Sequence, residues 1–368
     1  MSRLQRLPAA GVSIWLDTLS RDLLDGGAFE TLVADFAVTG ATSNPTIFAK
    51  AITGSRRYDE QLRRAVASGI ADRQELFFEL ALDDVRRAAD ILRPAYDASA
   101  GRDGFVSFEC TPDVAGDAAA TVEQATGLWE RLARPNVMIK VPATDAGIVA
   151  IEQLTAHGVN VNVTLLFSLA RYEQVIEAYL AGLERRAADG LPIDAIASVA
   201  SFFVSRFDAK ADALLAACSA LRGRIAIANA HAAYGRYLER FSDERWRALQ
   251  RHGGRPQRPL WASTATKDRA YSDVLYVEQL IAPDVINTMP EATLRAFADH
   301  GRVARRSPID PVAGERTLRR ARDEGVDLDA ITAALERDGV RAFCDSYQEL
   351  LDCIGSKLRA PSVAAADA

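Results

Sequence analysis

Short runs of β-branched and apolar residues recur along this chain, and each is followed by a stretch whose apolar positions repeat with helical spacing. Eight such runs stand out: Val12 to Asp17, Val38 to Asn44, Phe105 to Glu109, Val137 to Val141, Val159 to Leu165, Ala195 to Phe203, Leu260 to Ser263 and Asp284 to Thr288. Strands that alternate with helices pair in parallel through right-handed crossovers. Eight such units close a barrel more naturally than they leave an open sheet, so the predicted fold class is α/β, a (β/α)8 TIM barrel.

The clearest helical stripe follows the fifth run. Ser168 is placed to cap that helix, and Leu169, Tyr172, Val175, Ile176, Tyr179, Leu180 and Leu183 share one face that would pack on the barrel's outside. Two intervals, Ala51 to Arg102 and Ser205 to Pro259, are too long for one crossover helix and predict additional helices, with Gly253 to Pro259 as a loop. Leu328 to Leu358 reads as a C-terminal helix folded back near the active-site mouth. Residues 1–359 are expected to form a single barrel domain, and the Ala-rich, Pro-containing stretch 360–368 a disordered tail.

Composition narrows the partners. A chain of 368 residues with 49% hydrophobic and 26% charged residues can bury a large core, and its net charge of −6 lacks the basic footprint that nucleic acid or an acidic membrane surface requires. The four cysteines, Cys110, Cys218, Cys344 and Cys353, show no C-x-x-C spacing and do not cluster with the four histidines. The expectation is a reducing, cytoplasmic setting with no metal and no cofactor, and Cys110 reads as a small buried hydrophobe. Arg3 and Arg6 precede only a short apolar stretch ending at Asp17, so neither a signal peptide nor a membrane span is expected.

The fifth run alternates strictly and puts Asn160, Asn162 and Thr164 on one face. Helices cover the outside of a barrel, so the valines face outward and the amides inward, where polar groups need partners. A bound ligand or a structural polar layer would both supply them. Lys140 closes the fourth run at what would be the barrel's catalytic rim. Only five of the 44 basic residues are lysines, so a lysine placed inside a strand draws notice. An amine attacks a ketone only when neutral, a form that desolvation favours. Two readings stand open for Lys140: such a nucleophile, or an ion-pair partner of a core carboxylate such as Glu109 or Asp17.

Asp17, Asn44, Glu109 and Ser201 lie at or near the ends of four other runs. Singly they read as a helix cap, a turn before Pro45, an arginine partner and a strand hydroxyl; together they crowd one rim. Arg206 follows the sixth run, and Lys267 follows the seventh beside Ser263 and Thr264. Guanidinium, ammonium and hydroxyl donors on the late loops of a barrel suit a phosphate dianion, although a solvated surface explains Lys267 equally well.

Several segments, in order, resemble transaldolases, especially the longer bacterial branch: Trp15-Leu16-Asp17, Gly40 to Phe48 with its T-S-N-P core, Ile139-Lys140-Val141-Pro142-Ala143-Thr144, Asn162 to Ser168 and Ser201 to Arg206. The resemblance runs from about Val12 to Pro290. It implies that Lys140 forms a Schiff base with the C2 carbonyl of a ketose phosphate such as sedoheptulose 7-phosphate or fructose 6-phosphate. The retained dihydroxyacetone unit would then pass to an aldose phosphate, glyceraldehyde 3-phosphate or erythrose 4-phosphate. By the same resemblance Glu109 acts as acid and base through a water held by Thr164, and Asp17 handles the proton of the C4 hydroxyl. Asn44, Asn162 and Ser201 would bind the dihydroxyacetone hydroxyls, Phe203 would be a further substrate contact, and Arg206, Ser263 and Lys267 would hold the phosphate. The expected partners are small sugar phosphates, with a homodimer allowed. An aldolase that releases the three-carbon product, or a non-catalytic sugar-phosphate-binding barrel, would share many of these features.

Overall fold

In the computed structural model, which describes residues 2–305 and 307–359, eight parallel strands hydrogen-bond in sequence order and close with the last against the first. They are β1 (Val12–Leu16), β2 (Val38–Thr42), β3 (Val106–Glu109), β4 (Val137–Pro142), β5 (Val161–Leu166), β6 (Ser198–Phe203), β7 (Arg258–Ala262) and β8 (Val285–Met289). The closed (β/α)8 barrel expected from the alternation is therefore what the chain forms. The tail expected at 360–368 lies outside the described residues.

Boundaries move by a few residues, for local reasons. β5 begins at Val161 rather than Val159, and the Asn160 amide beside it donates to Pro135 O and Val137 O while its oxygen accepts from Ala197 N–H. Asn160 thus belongs to a structural polar layer at the barrel's entry side, one of the two readings open for that face. β6 begins at Ser198 rather than Ala195, because Ile196 N–H turns back onto Ile193 O. β7 starts at Arg258, which shortens the preceding loop.

The two long intervals hold additional helices as expected, among them Asp59–Ala67 and Arg73–Ala98 in the first and Ile225–Arg240 and Glu244–Arg251 in the second. Ser168 caps helix Leu169–Ala188 by accepting from Arg171 N–H at 3.1 Å, and the Tyr172 ring packs edge-on against Phe202 at 6.0 Å. Val137, Ile139, Val141, Val161 and Val163 join the large apolar cluster shared with the helices. A second cluster, including Trp15, Phe105, Met138, Val199, Leu260 and Ile286, fills the lower interior of the barrel. Gly40 follows from this plug: a Cβ there would lie 2.4 Å from the Trp15 indole.

Candidate active site

Register brings the central side chains together. Glu109 pairs with Lys140 across β3 and β4, Lys140 with Asn162 across β4 and β5, and Pro142 with Thr164. Paired residues on neighbouring strands project to the same face, so Glu109, Lys140 and Asn162 all point into the barrel. Above them opens a cavity of about 410 Å³, within the range of small-ligand sites. Its wall includes Asp17, Asn44, Glu109, Lys140, Thr164, Ser201, Phe203, Arg206, Ser263 and Lys267. Helix Leu328–Leu358 crosses the mouth and contributes Gly339, Ala342, Phe343 and Ser346.

Lys140 is only 8% exposed. Its Nζ donates to Ser43 O at 3.0 Å and to Glu109 Oε1, so the ion-pair reading holds for the resting side chain and does not remove it from the cavity. Glu109 Oε2 is buried and has no hydrogen-bond partner among the described residues. Loss of water around Glu109 raises its pKa, the charge and hydrogen bond of Lys140 oppose that rise, and the charge of Asp17 adds to it. A carboxyl so placed is suited to take a proton from its ammonium neighbour, which yields a neutral amine beside a neutral acid.

Asp17 does not cap the following helix; Ser20 does, by accepting from Leu23 N–H. Asp17 accepts from Thr42 Oγ1 at 3.1 Å. Its recessed position strips water from the carboxyl and raises its pKa, against the opposing influence of Lys140, the Thr42 hydrogen bond, Arg206 and Lys267. Asn44 combines two roles. Its oxygen caps helix Pro45–Gly54 by accepting from Ile47 N–H at 3.0 Å, and the residue still lines the cavity.

Asn162 is fully buried beside Lys140. It donates to Ser107 Oγ at 2.9 Å and accepts from Ser201 Oγ at 2.6 Å, and thereby orients a hydroxyl that does reach the cavity. Past the end of the Ser201 strand the Arg206 guanidinium sits 5.4 Å over the Phe203 ring. Ser263 adopts a left-handed backbone, with φ 57°, and its Oγ lies 2.9 Å from Ser205 Oγ. Cys110 is buried, and its thiol is pushed up to about 12, chiefly by loss of water, which leaves it inert at neutral pH.

Sequence reasoning missed several wall residues. Thr42 and Thr288, with hydroxyls 3.1 Å apart, join β2 to β8 around the rim. Each stands at an inward strand end, a signal of the same kind that singled out Asn44. Leu165 has a left-handed backbone, with φ 59°, where the β5–β6 register breaks, and no glycine announces it. Thr46 donates to Ser346 Oγ at 2.7 Å and joins the mouth-covering helix to the β2 connection. Among the described residues there is no group of three side chains suited to a metal ion, and no helix is long and apolar enough to cross a membrane.

Residues 14–354 match the sequence profile of the family described as Transaldolase/Fructose-6-phosphate aldolase. A protein of Saccharopolyspora erythraea named Transaldolase is 49% identical over 97% of this chain and 98% of its own length. Proteins of the same name from Parafrankia sp. and Thermobifida fusca are 48% and 47% identical, over 96% and 98% of this chain and 98% and 99% of their own lengths. With the fold, the inward lysine and these relatives in agreement, the chain belongs to the transaldolase/fructose-6-phosphate aldolase family.

Proposed function

We propose that this chain is a transaldolase that moves a dihydroxyacetone unit from a ketose phosphate to an aldose phosphate in the non-oxidative pentose phosphate pathway. The observation that carries the reading is Lys140, held inside the barrel's rim beside a carboxyl whose pKa is raised. Proton transfer to Glu109 frees the amine, which attacks C2 of the ketose and forms a carbinolamine. Loss of water, with Glu109 as acid, gives the protonated imine. A water placed between Glu109 and the Thr164 hydroxyl relays these protons.

Asp17 takes the proton of the C4 hydroxyl, and the C3–C4 electron pair flows toward the iminium as the aldose leaves. The three-carbon enamine stays on Lys140, adds to the incoming aldehyde, and Asp17 returns the proton to the new alkoxide. Hydrolysis of the imine then releases the product. Asn44, Asn162 and Ser201 bind the dihydroxyacetone hydroxyls, and Asn162 also orients Ser201 by accepting from its hydroxyl. Arg206, Ser263 and Lys267 take the phosphate, and Phe203 supports the Arg206 guanidinium. Helix Leu328–Leu358 shields the enamine from solvent protons. The enzyme works in the cytoplasm, a setting that suits its four unpaired cysteines.

Transfer is preferred to simple release because the relatives compared are named transaldolases over nearly their whole length. The test is borohydride reduction in the presence of fructose 6-phosphate, followed by mass spectrometry of the modified peptide. A three-carbon adduct on Lys140, together with a turnover that needs an aldose phosphate acceptor, is expected. Release of the three-carbon product without an acceptor would favour an aldolase, and no adduct at all would leave only a binding protein.

A further inference from the structure

The two cations proposed for the phosphate ride on neighbouring segments. Arg206 lies in the first turn of helix Ser205–Asp212, and Lys267 in the connection after β7. At their base Ser205 N–H donates to Ser263 O at 3.1 Å and the two hydroxyls meet at 2.9 Å. Thr264 Oγ1 then anchors the connection by donating to Asn287 Oδ1 at 2.9 Å. Among the described residues, no hydrogen bond ties 265–270 to another element, and the next anchor is Tyr271.

Tyr271 donates its hydroxyl to Asp212 Oδ2 at 2.6 Å, and its ring lies so close to Gly223 that a Cβ there would meet it at 2.8 Å. Gly223 N–H also donates to Asp212, at 3.0 and 3.2 Å to its two oxygens. One turn earlier on the same helix face, Asp208 accepts from Tyr276 Oη at 2.9 Å and from Ala226 N–H at 2.7 Å. The two aspartates are 1% and 6% exposed, and among the described residues neither forms an ion pair.

Burying two carboxylates without a cation is costly. Here two tyrosine hydroxyls and the backbone amides at the start of helix Ile225–Arg240 offset that cost. The residue before that helix, Arg224, supplies no side-chain cap, so the aspartates also answer amides that would otherwise lack acceptors. The result is a clasp among three segments: the Arg206 helix, the Lys267 connection and the start of helix Ile225–Arg240.

We propose that Asp208 and Asp212, through Tyr276 and Tyr271, are positioning residues for phosphate recognition, holding the Arg206 and Lys267 segments at the separation a phosphate dianion bridges. This inference rests on the phosphate reading given above. Without the clasp the Lys267 connection samples more conformations, and phosphate binding must order it first. Neither tyrosine lines the cavity or bonds to Lys140, so the chemistry there is untouched, and the loss falls on binding that is uniform along the reaction and appears in KM.

Tyr271→Phe removes one oxygen from a half-buried ring and is the deciding variant, with Asp212→Asn beside it. Tyr271→Phe is expected to raise KM for fructose 6-phosphate about three- to tenfold, the worth of one hydrogen bond. The inhibition constant of inorganic phosphate should rise by a similar factor, with kcat unchanged and turnover of unphosphorylated fructose unaltered. An unchanged KM, or an equal loss with both donors, would overturn the proposal. Two controls separate it from the function reading. Failure of the unsubstituted protein to form a borohydride-trapped adduct would sink the Schiff-base mechanism, and an Arg206→Ala variant with unaltered KM would sink the phosphate assignment. A normal adduct, an impaired Arg206→Ala and an indifferent Tyr271→Phe would sink the clasp alone.

Discussion

Lys140 and Glu109 stand opposite each other on adjacent parallel strands, and the ammonium of one donates to Oε1 of the other inside the barrel. The pair is a proton store as much as an ion pair. Burial favours the neutral acid at Glu109, while each charge supports the other. Small changes in what surrounds the pair therefore decide how readily Glu109 holds a proton.

Lys140→Met should abolish the borohydride-trapped adduct and lower kcat/KM by on the order of 10⁴-fold or more, as loss of a covalent nucleophile does. It should also shift stability in a pH-dependent way. Without the ammonium, an ionised Glu109 is left uncompensated, at a cost of about 3–5 kcal/mol, whereas a protonated Glu109 needs no counter-charge. Melting temperatures compared with the unsubstituted protein should diverge at alkaline pH and converge toward acidic pH. A pH-independent difference would mean that Glu109 gains nothing from its neighbour.

Asp17→Asn should separate imine formation from bond cleavage. An amide cannot take the C4 hydroxyl proton, so turnover should fall about 10²- to 10⁴-fold, while Lys140 still condenses with fructose 6-phosphate. Mass spectrometry of the reduced protein should then find the intact six-carbon sugar phosphate on Lys140 rather than the three-carbon fragment. A three-carbon adduct formed at the normal rate would assign the proton transfer to another group.

Much of this architecture was legible because a covered parallel barrel constrains sequence strongly. Its outer strand faces must be apolar, which made the valines of β5 and β4 readable and left Lys140, Asn162 and Thr164 as conspicuous exceptions. What escaped depends on closure. Thr42 meets Thr288 across 246 residues of sequence, and nothing local to either threonine marks the other. Asn162 reads from sequence as a substrate contact, and only the assembled barrel reveals that its amide oxygen also accepts from Ser201 Oγ, 39 residues further along the chain. The left-handed turn at Leu165 is held by packing and register, with no glycine to betray it.

Asp208 should give the fold a measurable pH dependence. Burial, foremost among several causes, raises its pKa from 3.8 to about 7. The folded state then binds more protons than the unfolded chain between about pH 4 and about pH 7, so stability falls as pH rises through that window and levels above it. Asp17 and Glu109, also raised, add slope of the same sign. Asp208→Asn removes one titration while keeping groups that can bond Tyr276 and Ala226. Urea unfolding from about pH 5 to about pH 8 should show a shallower decline for the variant, and equal slopes would place the titration elsewhere.

Gly40 tests the plug beneath the site. A methyl group at this position would lie 2.4 Å from Trp15 Nε1, and that indole is fully buried and donates to Asp103 Oδ1 at 2.9 Å. The ring cannot withdraw without straining that hydrogen bond or pressing on Phe105, whose ring centroid is 6.4 Å away. Gly40→Ala should therefore destabilise the protein by about 1–3 kcal/mol, as overpacking of a filled core does. Trp15→Phe alone should also destabilise, by leaving a cavity, while Asp103 keeps its hydrogen bonds from Thr39 and Gly104. In the double variant the smaller ring makes room for the methyl group, so the two losses should combine to less than their sum. Strict additivity in thermal or urea unfolding would show that the contact with Trp15 is not what requires glycine at position 40.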